Sequence, residues 1–288
     1  MASATLILAL GACGGDEEES ASTTELFDSE QAMELAKMQV EEGPRPAGSN
    51  ASRELAEHLV TALPNGEFER VPGGLQNVVG ELPGTRPAIL VAAHYDTEAT
   101  IPNHVGANDG AAGTAAVIEV ANALKRELPA DHREVRFALF DGEEEPPGCP
   151  DAQFEECALR GSKAYAAAHA GEIGQMILLD YVGNAGLRIP REANSDRLLW
   201  DRLREAAAEV GAEREFPATR DGEFAIIDDH IPFVEAGVPS IDLIDFTYRY
   251  ADTAQDTLDK LDPEALDAVG ETVTELVLQL ATEQPPPT

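Results

Sequence analysis

Basic residues are scarce in this chain: 20 Lys and Arg stand against 54 Asp and Glu in 288 residues, a formal net charge of -34 at pH 7. A field of that sign repels nucleic acid and anionic surfaces and draws cations, which excludes a DNA- or RNA-binding role. Its plainest consequence is a well-solvated surface. Cysteine is scarce as well, with three residues, fewer than a thiolate-built zinc site wants. Long apolar runs are missing, and the N-terminal one, Met1 to Leu10, is too short to span a bilayer. What is present is 43% hydrophobic residues, ample for one sizeable domain, alone or with a small appendage.

That short run ends in Leu10-Gly11-Ala12-Cys13, followed by Gly14-Gly15 and the acidic stretch Asp16 to Glu19. It resembles a bacterial lipoprotein signal, cut before a cysteine whose thiol then carries lipid. The resemblance implies a signal and acidic tether over residues 1–24, a lipid anchor at Cys13 as the only membrane link, and an extracytoplasmic place, membrane-anchored or secreted. A single domain is then expected over 25–283, with a disordered tail at 284–288. Cys149 and Cys157 flank a loop of Pro, Gly and acidic residues. They are placed to close it as a disulfide, which suits export, the alternative being two free thiols.

Periodicity predicts helices over Ser29 to Glu42 and, capped by Asn50, over Ala51 to Ala62. Further helical stretches are Ala111 to Leu128, Gly161 to His169, Ser195 to Val210 and Pro263 to Ala281. Strand-like runs lie at Gln76 to Leu82, Ala88 to Ala93, Glu134 to Phe140, Met176 to Leu179 and Ser240 to Ile244. Apolar strands alternating with helices mean an α/β domain: three layers, α/β/α, around a mixed, largely parallel central sheet.

In such folds ligands sit beyond the carboxyl ends of the strands. His94 follows one apolar run, Asp141-Gly142-Glu143-Glu144 another and Asp180 a third, while Asp109 lies between Gly106 and Gly110 where a loop enters a helix. Residues so far apart in sequence would converge in space. A zinc pair that hydrolyses amides wants His and carboxylate ligands, one carboxylate bridging both ions, and an open position for water. Another carboxylate must take the water's proton. Adjacent Glu143 and Glu144 can divide metal binding and base between them, and Asp96, two residues beyond His94, can orient its imidazole. Taken singly, each has a plainer reading as a turn, a helix cap or a solvated loop.

Together and in order, these segments resemble the M28 family of zinc peptidases, which holds aminopeptidases and the related glutaminyl cyclases. The likeness runs from about Gly43 to Ala281 through Gly43-Pro44-Arg45-Pro46-Ala47-Gly48-Ser49, Ala93-His94-Tyr95-Asp96-Thr97, Gly106 to Gly113, Phe140 to Glu144 and Asp228-Asp229-His230-Ile231-Pro232-Phe233. It implies that His94, Asp109, Glu144 and Asp180 ligate zinc, two ions or one, with Asp109 as the bridge. It makes Glu143 the general base and Asp96 the support of His94. The family's last ligand is a histidine in Trp-His-Thr-x-x-Asp-Thr; here the segment reads Ala251-Asp252-Thr253-Ala254-Gln255-Asp256-Thr257, so Asp252 stands in the ligand's place. Asp228, Asp229 and His230 are read as pocket or supporting residues, with a helix cap as the alternative. His58, His104, His132 and His169 are read as surface or helix residues.

The expected activity is hydrolysis of an N-terminal peptide bond, on peptide or protein N-termini, by water activated at Glu143. Two alternatives stand beside it. One is cyclisation of N-terminal glutamine: Asp228 to Phe233 and the acidic loop Glu145 to Glu156 resemble the cyclase branch, but the cyclase pocket tryptophans are absent. The other is a binding protein that lost its metal at Asp252.

Overall fold

A computed structural model describes residue 1 and residues 26–218 and 224–283. The signal, tether and tail expected over 1–24 and 284–288 lie outside the described residues, apart from Met1. Among the described residues, no helix is long and apolar enough to cross a membrane.

Two helices open the fold, α1 (Ser29–Glu41) and α2 (Asn50–Ala62). Asn50, expected as the cap of α2, is its first residue; Ser49 accepts the Ser52 N–H at 3.0 Å instead. The order continues β1 (Glu67–Val71), β2 (Leu75–Leu82), β3 (Thr85–His94), α3 (Gly113–Glu127), β4 (Arg133–Phe140), α4 (Phe154–Cys157), α5 (Arg160–His169), β5 (Ile173–Asp180), α6 (Arg197–Val210), α7 (Ile231–Glu235), β6 (Ser240–Ile244) and α8 (Pro263–Thr282). Strand β1, Glu-Phe-Glu-Arg-Val, carries no signal in the sequence because its charged side chains face solvent at the sheet edge. The α3 helix begins later than expected, because a wider turn over Ala107–Ala112 precedes it.

The six strands form one sheet in the order β1-β2-β4-β3-β5-β6. The neighbours β4, β3, β5 and β6 run parallel, while β1 and β2 join antiparallel at one edge. This is the mixed, largely parallel sheet that the sequence pattern implies. Both faces of the parallel strands are covered, which is why they read as unbroken apolar runs. Ile89, Val91, Ala93, Val135, Phe137, Leu139, Ile177 and Leu179 belong to the larger core, with α1, α2, α3, α6 and α8. Ala88, Leu90, Ala92, Phe140, Met176 and Leu178 pack on the other face with Tyr165 of α5 and Phe233 of α7. Each large side chain fully buried here contributes roughly 1.5–3 kcal/mol, so the sheet is a stiff platform. The chain leaves β3 for β4 on one side and crosses to β5 on the other, which opens a crevice at the carboxyl ends of these strands.

Cys149 and Cys157 are joined as a disulfide across eight positions, closing the loop that carries Phe154.

Candidate metal centre

His94 is the last residue of β3 and Asp180 the last of β5, so two parallel neighbours deliver them to the same edge. Asp109 sits inside the turn at 107–112, where its own backbone and that of Gly110 leave helical geometry. Gly110 has φ +85, and a Cβ there would meet the Asp96 carbonyl at 3.0 Å and the His94 ring at 3.2 Å, so glycine is needed for this approach. The turn is held by Asp256, whose carboxylate accepts the N–H groups of Asn108 and Asp109 at 3.0 Å. Glu143 and Glu144 follow β4 on a loop organised by Asp96, which accepts the N–H groups of Gly142, Glu143 and Glu144 at 2.9, 3.1 and 3.3 Å.

These side chains converge. His94 Nε2 lies 3.2 Å from Asp109 Oδ1 and 3.4 Å from Asp180 Oδ1. Three groups, His94 with Asp109 and Asp180, His94 with Glu143 and Glu144, and His104 with Asp109 and Glu144, each offer ligand atoms within 4.8 Å of one another. All six residues are buried. Asp109, Glu143, Glu144 and Asp180 form the inner wall of a cavity of about 610 Å³ lined also by Glu98, Ile101, Glu145, Phe154, Ile226, Ile227, Asp228, Phe246 and Asp252, among others.

Several placements differ from the sequence reading. Asp96 Oδ1 is 3.8 Å from His94 Nδ1, beyond hydrogen-bond reach, and that nitrogen has no partner. The contacts of Asp96 go to the glutamate loop instead, because a carboxylate beside three free N–H groups satisfies them first. Asp252 belongs to none of the three-residue ligand groups; its Oδ1 accepts from the Tyr181 hydroxyl at 3.2 Å. His104, read as a surface or helix residue, is fully buried in a loop against Asp109. Of the Asp228-Asp229-His230 trio, Asp228 lines the cavity, whereas Asp229 and His230 are sealed behind it. His230 stands before α7 without making a side-chain cap. It lies 3.2 Å from Glu192 and 3.6 Å from Asp242.

Glu192, Asp242, Tyr181, Asp256 and Arg45 are thus part of the assembly though the sequence reading assigned them no role. Arg45 and Asp256 fall within family-like segments, and Asp242 left a trace as a charge inside the apolar strand Ser240–Ile244. Arg45 is fully buried and ties the loop before Asp109 to β3, its guanidinium donating to the carbonyls of Tyr95, Val105 and Gly106. Burial lowers its pKa to about 10, with Asp109, Asp96, Asp256 and Glu144 pulling the other way.

Electrostatics show what the centre is built for. Burial pushes Glu143 well up, with Asp228 and Asp229 adding to the rise against His94. Burial likewise raises Glu144, helped by Asp109 and Glu143, and takes Asp180 to about 7 despite His94. Burial would depress the His94 imidazolium, yet the pull of the carboxylates of Asp109, Asp180 and, from farther off, Asp96 prevails and holds it well above its ordinary value. Asp109 also feels burial upward, but His104 and His94 bring it far below the usual carboxylate range. Carboxylates crowded out of water at this density must be protonated or neutralised by a cation. The donor set, imidazole nitrogens and carboxylate oxygens with Glu144 Oε1 buried and unpartnered, fits a zinc ion.

The family model for Peptidase family M28 matches residues 77–277. The chain is 27% identical over 216 residues to aminopeptidase YwaD of Bacillus subtilis, covering 69% of this chain and 42% of that enzyme's length. In structure it is similar to an Acidobacteriales bacterium glutaminyl cyclase, with a TM-score of 0.75 and 28% identity over 93% of this chain and 99% of that one. It is equally similar to a leucine aminopeptidase precursor from Bacteroides thetaiotaomicron, with a TM-score of 0.77 and 25% identity over 90% of this chain and 98% of that one. The match spans the strand ends, the Asp109 turn, the glutamate loop and most of α8, and so the chain belongs to peptidase family M28.

Proposed function

We propose that this protein is a zinc-dependent exopeptidase of aminopeptidase type that hydrolyses N-terminal peptide bonds. The observation that carries this reading is the cavity: its wall holds the centre's carboxylates Asp109, Glu143, Glu144 and Asp180 together with Ile101, Phe154, Ile226, Ile227 and Phe246. The acidic groups Glu98, Glu145, Asp228 and Asp252 face the same space and suit the ammonium of a peptide N-terminus. The aliphatic and aromatic walls suit an apolar first residue.

In this reading His94, Asp109 and Asp180 would hold one zinc, and Asp109 and Glu144 would contribute to a second. Zinc bound there supplies Lewis-acid polarisation of the scissile carbonyl and lowers the pKa of water. Glu143 accepts the proton of the attacking water and returns it to the leaving amine nitrogen. Burial has already raised the proton affinity of this carboxylate, which suits a group that must take up a proton and release it in one cycle. Asp96 positions Glu143 by clamping its backbone.

A second reading, cyclisation of N-terminal glutamine with release of ammonia, draws on one observation. Glu143 stands among Asp228 and Asp229, both of which raise its proton affinity, and such a group can carry a proton from the attacking amine to departing ammonia. Against it, the only tryptophan, Trp200, is buried in α6 against Phe216 and lines no part of the cavity. For its place in the cell we propose a lipid anchor at Cys13 on the extracytoplasmic side; the disulfide of Cys149 and Cys157 suits an oxidising compartment.

Purified protein, loaded with zinc, is to be assayed on aminoacyl-anilides and on peptides beginning with glutamine. Release of free amino acids, abolished by chelator, is the expected result. Pyroglutamate formation without release would replace the proposal with the cyclase reading. Bound metal without turnover of either substrate would sink both.

A further inference from the structure

We infer that His104 supplies the nitrogen ligand of the second metal, in place of the histidine that the family pattern puts where this chain has Asp252; the inference rests on the two-zinc reading above.

The ring is fully buried. Its Nδ1 lies 2.9 Å from the carbonyl oxygen of Thr253, and a carbonyl can only accept, so Nδ1 carries the hydrogen. In the neutral ring Nε2 is then a bare lone pair, and it lies 3.2 Å from Asp109 Oδ2. Two lone pairs facing each other out of water call for a proton on the ring or a metal cation at that point. A separate observation marks the same place: Glu144 Oε1 is buried with no hydrogen-bond partner, and Glu144, Asp109 and His104 offer ligand atoms within 4.8 Å of one another. The two oxygens of Asp109 thus face two different imidazoles, Oδ1 that of His94 at 3.2 Å and Oδ2 that of His104. That is the arrangement of a bridging carboxylate.

The C-terminal segment is not out of register. Asp256 is locked onto the N–H groups of Asn108 and Asp109 and onto the Tyr248 hydroxyl at 2.7 Å. Asp252 therefore stands beside the centre, at φ +50, and spends Oδ1 on the Tyr181 hydroxyl. The segment that carries a carboxylate in the ligand's position instead orients the replacement ring through the Thr253 carbonyl, a second contact layer of the kind that fixes the tautomer of metal-bound histidines. Arg45 holds the loop in place from beneath by bonding the carbonyls of Val105 and Gly106.

The test is metal content by mass spectrometry on zinc-saturated, desalted wild type, His94→Ala, His104→Ala and Asp252→Ala, with His104→Gln used if the alanine variant differs from wild type in metal-free circular dichroism. Wild type is expected to hold two zinc ions per chain, both histidine variants one, and Asp252→Ala two. Retention of two ions by the His104 variant, or loss of one by Asp252→Ala, overturns the inference and leaves the two-zinc reading standing. A wild type holding a single ion ends the two-zinc reading, and His104 then stands if its variant loses that ion and falls if it does not. A wild type without bound metal overturns both.

Discussion

Two clusters of buried histidine and carboxylate lie side by side in this protein, and they differ in one respect. The first, His94, His104, Asp109, Glu143, Glu144 and Asp180, reaches the cavity through its four carboxylates. The second, Glu192, Asp229, His230 and Asp242, is sealed, with Asp228 alone reaching the open space between them. Both violate the rule that acids avoid the interior. The open cluster can recruit a cation from solvent and present it to a substrate. In the sealed cluster burial raises Asp229 and Asp242, each also repelled by its acidic neighbours, while the oxygens of both carboxylates and both His230 ring nitrogens have no hydrogen-bond partner. Glu192 is lowered in spite of burial because the His230 ring faces it at 3.2 Å and it accepts from the N–H groups of Asn194 and Ile226. Access rather than residue type separates a centre for chemistry from a scaffold for it.

The largest expected effect divides the clusters by activity. Glu143→Gln should lower kcat/KM by about a thousandfold, within the span of general-base catalysis, while the metal content of the protein stays that of wild type. Loss of metal from this variant would mean that Glu143 is a ligand and that its role has been exchanged with Glu144. The converse holds for the sealed cluster. Glu192→Ala removes the carboxylate facing His230, strips two backbone N–H groups of their acceptor and should cost about 3 kcal/mol of stability, measured by urea denaturation, without loss of bound zinc at saturation. A variant as stable as wild type would show that the sealed cluster carries no structural load.

The pH dependence of stability tests the open cluster's need for a cation. In metal-free protein the folded-state affinities of Glu143, Glu144 and Asp180 for protons exceed those of the unfolded chain, Asp180 titrating at about 7. The folded state then holds more protons than the unfolded one between about pH 4 and 7, so stability falls as pH rises through that window. His94, raised well above its ordinary value, acts in the same direction above pH 6.5. Chelated protein should lose about 5 °C of Tm between pH 5 and 7.5, at roughly 2–4 °C per kcal/mol for a domain of this size. Zinc-loaded protein should do the reverse, since metal binding needs deprotonated ligands. Parallel curves with and without zinc would show that the open cluster binds none. The smallest effect concerns Tyr181→Phe, which removes a hydroxyl shared by Asp109 and Asp252 and should cost about 1 kcal/mol, less than tenfold in kcat/KM. A larger drop would place the hydroxyl on the substrate.

Much of the open cluster was legible in the sequence. His94, Glu143, Glu144 and Asp180 each end or follow an apolar strand, and Asp109 is framed by glycines, so local pattern alone put them at one edge of a parallel sheet. The sealed cluster was barely legible: Glu192 sits in an irregular segment, and its partnership with His230 is made across 38 positions. His104 was misread for the same reason. A histidine in a loop of Pro, Asn and Val has no periodicity to show that it is buried, and its partner Thr253 is 149 residues away.

The sequence by itself determined the α/β class, the parallel core and the strand-end acids, because side-chain periodicity and the carboxyl-end rule are local properties of the chain. Only the tertiary structure decided which buried acids open to a cavity, that Asp96 clamps the glutamate loop instead of bonding the His94 ring, and that a loop histidine faces Asp109 where the C-terminal segment offers none. Those outcomes depend on contacts between segments distant in the chain, where burial and hydrogen-bond satisfaction are settled by packing and leave no trace in spacing.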